Sequence, residues 1–134
     1  MTENMEEQHR AEAERRWGGT EAYRESAKRT QGYSDAQWAE IKADMERIEA
    51  DFAIALADGV APDTQRAMDL AEQARLHIDE RFYPCSHAMH AALADMYTAD
   101  ERFRAHYDDR LEGLADFVAA AVKANAGRWE EGPK

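Results

Sequence analysis

SDAQWAEIKADMERIEADFAIALADG, residues 34–59, sets Trp38, Ile41, Met45, Ile48, Phe52 and Leu56 at steps of three and four. That spacing draws one unbroken apolar stripe along a helix. Ser34 and Gln37 stand three apart at its start, the pattern of a capping box in which each side chain satisfies an exposed backbone N–H. Asp58-Gly59 supplies the glycine that helices commonly use just past their last turn. This helix is expected to be the spine of the core.

Upstream, two helices are expected. The first, Asn4 to Arg16, is almost wholly charged and ends at Gly18-Gly19, with Met5 and the following Trp17 as its large apolar side chains. The second opens on Thr20 and runs to Thr30 with Tyr23 and Ala27 on one face, before Gly32 and Tyr33 break it. Downstream, Pro62-Asp63 is expected to start a helix with Ala67, Ala71, Ala74, Ile78 and Phe82 on one face. Tyr83-Pro84-Cys85 interrupts it, because the residue before proline is pushed out of helical geometry. Ser86 caps the next helix, with Met89, Leu93, Met96 and Tyr97 facing inward. Thr98 and Glu101 form a second capping box ahead of Phe103 and Tyr107. A last helix from Leu111 to Asn125 buries Leu114, Phe117, Val118, Ala121 and Val122, with Gly127 as its stop. No segment alternates apolar and polar residues as a half-buried strand does. The expected fold is therefore all-α. Residues 1–32 are expected to be helical but mobile, with too little apolar surface to hold themselves down, 33–128 to form the compact core, and 129–134 a disordered tail.

At 134 residues the chain can bury one core without disulfides or metal. Its 28 acids against 17 bases leave a net charge of −11. Residues 1–32 are nearly neutral, with seven acids and six bases, so the rest carries almost all of the excess. A nucleic-acid module needs a basic footprint, and an anionic membrane repels an acidic chain, so neither partner is expected. The single cysteine, Cys85, suits a reducing compartment. With no signal peptide at the N-terminus and no run long enough to span a bilayer, a cytoplasmic protein is expected.

Chemistry is sparse. Cys85, His87 and His90 make a C-x-H-x-x-H string, but a closed zinc site needs four ligands and no second Cys/His pair exists, so no metal is expected. Cys85 beside a helix N-terminus could be a lowered-pKa thiol, yet no orienting third group or oxyanion hole accompanies it, and a buried structural thiol is the default. His77 shares a face with Leu70 and Ala74, which places it at the core. No P-loop, GxGxxG, HExxH or GxSxG motif occurs. No enzyme and no cofactor are implied. Four methionines (Met45, Met68, Met89 and Met96) and the rings Trp17, Tyr23, Tyr33, Trp38, Tyr83 and Tyr97 are a large supply of adaptable apolar side chains. They suit a pocket for a bulky ligand equally as well as plain core filling.

Three blocks resemble the TipAS antibiotic-recognition domain: RWGGTEAYRESAKRT (16–30) with Tyr33, Trp38 and Ile41; ERFYPCSHAMHAALADMYTADERF (80–103); and LEGLADFVAAAVKANA (111–126). The likeness runs from Met5 to Arg128. It implies a globin-like helical domain whose cleft takes a drug instead of haem. Its ligands are expected to be thiopeptide- or albicidin-like antibiotics, captured for sequestration or to activate transcription through a MerR-type DNA-binding half in a longer form. It also implies an N-terminal segment that closes over bound drug. Trp17, Tyr23, Tyr83, Cys85, Met89, His90 and Tyr97 match motif positions, and with Tyr33, Trp38, His77 and Leu93 they make up the expected ligand-binding set. In thiopeptide binders, the cysteine that bonds covalently to the antibiotic corresponds to Ala92 here, and Cys85 matches a second cysteine. Capture is therefore expected to be non-covalent.

Overall fold

The computed structural model describes residues 21–130. Among them are six helices and no strand: α1 Glu21–Gln31, α2 Asp35–Ala57, α3 Gln65–Arg81, α4 His87–Ala99, α5 Glu101–Asp108 and α6 Leu114–Glu130. The expected first helix, Trp17 and residues 131–134 lie outside the described residues.

Helix α2 has the predicted start. The Ser34 hydroxyl accepts from the Gln37 N–H at 3.1 Å, and the Gln37 side-chain oxygen accepts from the Ser34 N–H at 2.8 Å. Gly59 follows with φ of +79°, a left-handed turn that a side chain would strain. Ile41, Ile48 and Phe52 of the stripe are buried.

Three boundaries differ from expectation. Thr64, not Pro62-Asp63, caps α3, accepting from the Ala67 N–H at 3.3 Å. Asp100, not Thr98, caps α5, its carboxylate accepting from the Arg102 N–H at 2.9 Å while the Thr98 hydroxyl turns back to the Asp95 carbonyl. A carboxylate is the stronger acceptor and interacts favourably with the positive helix start. Helix α6 begins at Leu114, with Asp108 accepting from the Ala115 N–H at 2.9 Å, and passes through Gly127 to Glu130. Helical glycine is merely unfavourable, and here Arg128 bonds both Asn125, one turn back, and Asp69 of α3. The first two residues of the expected tail, Trp129 and Glu130, are thus helical.

Helix α6 is the hub, packing on α4, α3, α5 and α2, while α2 also lies along α3. Alanines close these contacts: Ala55, Ala67, Ala71, Ala94, Ala115 and Ala121 are all at 0% exposure. Helix α1 touches only the end of α3 among its main contacts, and none of its described side chains is fully buried. Arg29 holds it there, donating to the carbonyls of Asp79 at 2.6 Å and Glu80 at 3.3 Å.

Candidate functional site

Between α2, α3, α4 and α6, with Tyr107 of α5 at one side, lies a cavity of about 90 Å³. Its hydrocarbon walls are Ile48, Phe52, Ile78, Phe82, Val118 and Val122, and its polar wall carries Glu49, His77, His90, Tyr97 and Tyr107. Half-buried Met45, His77 and Phe82 stand at its outer end.

A row of rings leads to that end. Tyr33 meets Trp38 edge-on at 5.6 Å, Trp38 reaches Phe82 at 6.3 Å, and Phe82 meets His77 edge-on at 6.3 Å. The row crosses from the α1–α2 turn to the C-terminal end of α3, and the Tyr33 hydroxyl ties the two together by donating to the Arg81 carbonyl. It exists because the chain breaks at Tyr83-Pro84, which leaves Phe82 as the C-cap of α3.

Five of the expected site residues therefore come together: Tyr33 and Trp38 on the approach, His77, His90 and Tyr97 at the cavity. Tyr83 and Cys85 do not line the cavity but lie close enough to Tyr97 to interact with it electrostatically, and burial pushes the Tyr83 hydroxyl up. Tyr23 is half-buried on α1, and Leu93 is core at 8% exposure. Met89, expected to face inward, is 36% exposed in the first turn of α4. Phe82, Glu49 and Tyr107 belong to the cavity and were not foreseen there. Phe82 could have been found from its position just before the helix break; the other two could not.

Burial controls the chemistry. Desolvation pushes His90 down to about 4, with the Arg75 cation adding to it, and it lowers His77. His90 is 2% exposed. Tyr97 and Tyr107, whose rings lie 5.3 Å apart, are both pushed up by burial. His106 goes the other way, raised by its bond at 3.0 Å to the Glu49 carboxylate.

The Cys85 region is a separate structural knot. Its backbone N–H donates to Asp79 at 2.8 Å and its carbonyl accepts from Arg75 at 2.7 Å. Burial pushes the thiol up to about 11, so the helix start does not make it a thiolate. Glu72 gathers Arg75 at 2.6 Å, His87 at 2.9 Å and Asn125 at 3.0 Å, and these partners outweigh desolvation to hold its carboxyl at about 2. His87 thus turns to Glu72 and to a stack with Trp129 at 5.0 Å, while His90 turns to the cavity. The C-x-H-x-x-H string does not converge, and among the described residues no group of three or more such side chains could hold a metal ion. A larger groove of about 370 Å³ lies between α2 and α3, but it is edged by Asp51, Arg66, Asp69 and Gln73 and holds none of the expected residues. No helix among the described residues is long and apolar enough to cross a membrane.

Residues 9–125 match the family model of the TipAS antibiotic-recognition domain. The chain is 36% identical over 122 residues to the HTH-type transcriptional activator TipA of Streptomyces coelicolor, covering 91% of this chain and 48% of that protein. It is 31% identical over 112 residues to the HTH-type transcriptional activator mta of Bacillus subtilis, covering 84% and 43%. It spans about half the length of the curated relatives it matches. Among solved structures, TipAS of Streptomyces lividans in complex with nosiheptide superposes with a TM-score of 0.83 at 35% identity, covering 95% of this chain and 87% of that one. The antibiotic-binding domain of a TipA-class multidrug resistance regulator gives 0.62 at 34%, covering 69% and 97%.

Proposed function

The chain belongs to the family of TipAS antibiotic-recognition domains, and from that premise we propose that it captures a bulky, hydrophobic, peptide-like antibiotic without turning it over. The supporting observation is the ring row Tyr33–Trp38–Phe82–His77 ending at a cavity, in a fold shared with a domain solved around nosiheptide. Ligand sites for drug-sized molecules measure roughly 300–1,000 Å³. A cavity of about 90 Å³ takes only one group of such a ligand. The remainder lies along the rings, and residues 1–32 fold over it as a lid. Support for the lid is the poverty of apolar side chains in that segment and the lightly held α1.

Capture is non-covalent. The position the resemblance assigns to the reactive cysteine is Ala92, and Cys85 is a buried thiol held protonated. Apolar burial drives binding: about 400 Å² contributes on the order of 10 kcal/mol before ordering costs. Ordering the lid removes part of that, so affinity follows the number of lid contacts a ligand makes.

A second reading is favoured by the chain's spanning 48% of an HTH-type activator: the same capture serves as the effector half of a transcriptional regulator, with a MerR-type DNA-binding half as partner. Titrating nosiheptide into the ¹⁵N-labelled chain tests the first reading. The expected result is saturable binding with amide shifts in α1 and the row of rings, and ligand recovered with its mass unchanged. Absence of binding, or a product of altered mass, overturns it.

A further inference from the structure

Glu46 and Glu49 stand one turn apart on α2, and each meets a cation from the far end of α5. The Glu49 carboxylate accepts from His106 Nε2 at 3.0 Å, and the Glu46 carboxylate accepts from Arg110, in the turn that follows the helix. The main contacts of α5 are with α4 and α6. There Phe103 is buried, and Asp108 accepts from the Ala115 N–H at the start of α6. On its α2 side, the helix is held by the two ion pairs and the edge of Tyr107. Because Tyr107 and Glu49 both wall the cavity, this α2–α5 seam is one of its edges.

The two ties differ in their access to water. The Glu46 side chain is 66% exposed and stays hydrated whatever Arg110 does, whereas that of Glu49 is 13% exposed. An enclosed carboxylate is costly without a cation beside it. With His106 protonated, two carboxylates face two cations across the seam. Once the proton leaves, the same two carboxylates face Arg110 alone, and Glu49 keeps at most a neutral N–H. To regain water it must turn outward, away from Tyr107. The bond to Glu49 raises His106 above an ordinary imidazole despite its burial, with Arg110 opposing and Glu46 assisting. Tyr107 stands edge-on to His106 at 5.2 Å, and α4 brings Tyr97 to within 5.3 Å of Tyr107. The α6 carboxylate of Asp116 is taken by Arg104 at 3.1 Å, on the opposite side of α5 from His106.

We propose that Glu49–His106, backed by Glu46–Arg110, is a pH-sensitive clasp that holds the end of α5 against α2 and lets that seam part when His106 loses its proton. The sign follows from the pairing: the clasp is closed on the acid side and loosens as pH rises through the value His106 has in the fold. Helix α5 stays on α4 and α6 throughout, since neither Phe103 nor Asp108 belongs to the clasp. The clasp stands on the geometry of α2 and α5 alone; its bearing on a guest, by loosening one edge of the cavity, rests on the reading of the chain as a capture domain.

Amide hydrogen exchange of the full chain without ligand, corrected for the intrinsic effect of pH on exchange, reads the seam. Protection of the amides of residues 107–111 is expected to fall roughly tenfold from about pH 6 to about pH 9, the difference between a charged and a neutral hydrogen-bond partner. Amides around Phe117 in α6 keep theirs. Long-range ¹H–¹⁵N spectra of the His106 ring must titrate with the same midpoint as that fall. Glu49→Gln, which keeps an acceptor without the charge, should make the protection alike at both pH values. Glu46→Gln, at the exposed tie, should lower it somewhat and leave the pH dependence in place. Protection that ignores pH, a midpoint that differs from that of the His106 ring, a dependence that survives Glu49→Gln, or a fall shared equally by α4 and α6 overturns the clasp. The midpoint comparison needs no variant, so it decides the matter even if Glu49→Gln does not fold. Nosiheptide is expected to associate faster at the higher pH. If it binds at neither pH, the capture reading falls while the clasp, read without ligand, stands.

Discussion

Where α2 ends and α3 begins, Ala55, Ala67 and Ala71 are at 0% exposure, and Phe52, at 1%, stands between them and the cavity that it helps to wall. At the opposite end of the same two helices, Met45, Ala74, Ile78 and Phe82 are only half-buried and border the cavity. Helix type and spacing do not differ between the ends; side-chain volume and cover do. At the closed end, alanines let backbones approach, and Phe117 meets Phe52 edge-on at 6.3 Å to fill what remains. At the open end the rings are strung along an edge instead of interleaved, and two polar nitrogens stand where packing would want hydrocarbon. The closed end holds the fold together, and the open end is where a guest can be received. Binding and stability are thereby assigned to different ends of one pair of helices.

Truncation at each end is the harshest test of that division. Phe117→Ala, which packs at the closed end and does not line the cavity, is expected to cost about 3–5 kcal/mol of unfolding free energy, the range for a buried ring. Phe82→Ala, half-exposed, is expected to cost roughly 1–2 kcal/mol yet to weaken nosiheptide more than any closed-end variant that still folds. Urea denaturation and isothermal titration give the two numbers. Equal destabilisation by both changes breaks the division.

Acid separates the histidines next. His90 is lowered in the fold, so the folded chain binds fewer protons than the unfolded chain between about 4 and 6.5. Its stability contribution is full above 6.5 and declines as pH falls, by about 2 kcal/mol from pH 7 to pH 5. His106 is raised by Glu49, so its contribution is present below 6.5 and is lost as pH rises through its folded value. Over the same interval the two oppose one another. His90→Gln is expected to make the protein less sensitive to acid and His106→Gln more sensitive, read from urea midpoints at the two pH values. Parallel changes in both variants contradict the assignment.

Much of this arrangement was legible in the amino-acid order, and the unreadable part has a physical cause. The α2 stripe, its Ser34–Gln37 box and the break at Tyr83-Pro84 are local patterns, and local patterns survive folding. Asp100 replaced Thr98 as a cap because competition between two acceptors two residues apart is settled by geometry, not by motif. The cavity was not legible in detail. His106 finds Glu49 across 57 positions and Asn125 finds Glu72 across 53, while the buried His77 Nε2 and His90 Nδ1 have no hydrogen-bond partner. Spacing could not say which histidine would be partnered, and so could not separate His87, on Glu72, from His90, three residues on. Trp17 and the segment before Glu21 lie outside the described residues, and the lid remains a proposal from composition.

The mildest change probes what joins α1 to the open end. Arg29 donates to the Asp79 and Glu80 carbonyls from a half-buried position, with Glu25 bracing its Nε at 2.8 Å. Removing it leaves two carbonyls that water can reach at the end of α3, so Arg29→Ala is expected to cost only about 1 kcal/mol. The loss should be confined to α1, because that helix buries no described side chain whose release would disturb the core. Amide hydrogen exchange is the suitable readout: α1 amides should lose protection while those around Phe52 and Leu114 keep theirs. If a ligand orders α1 as part of a lid, nosiheptide should restore that protection in the variant at lower apparent affinity, since binding must then supply the ordering that Arg29 had provided. A uniform loss of protection through α2 and α6 would instead make α1 part of the same cooperative unit as the closed end, and a lid that moves independently would be ruled out.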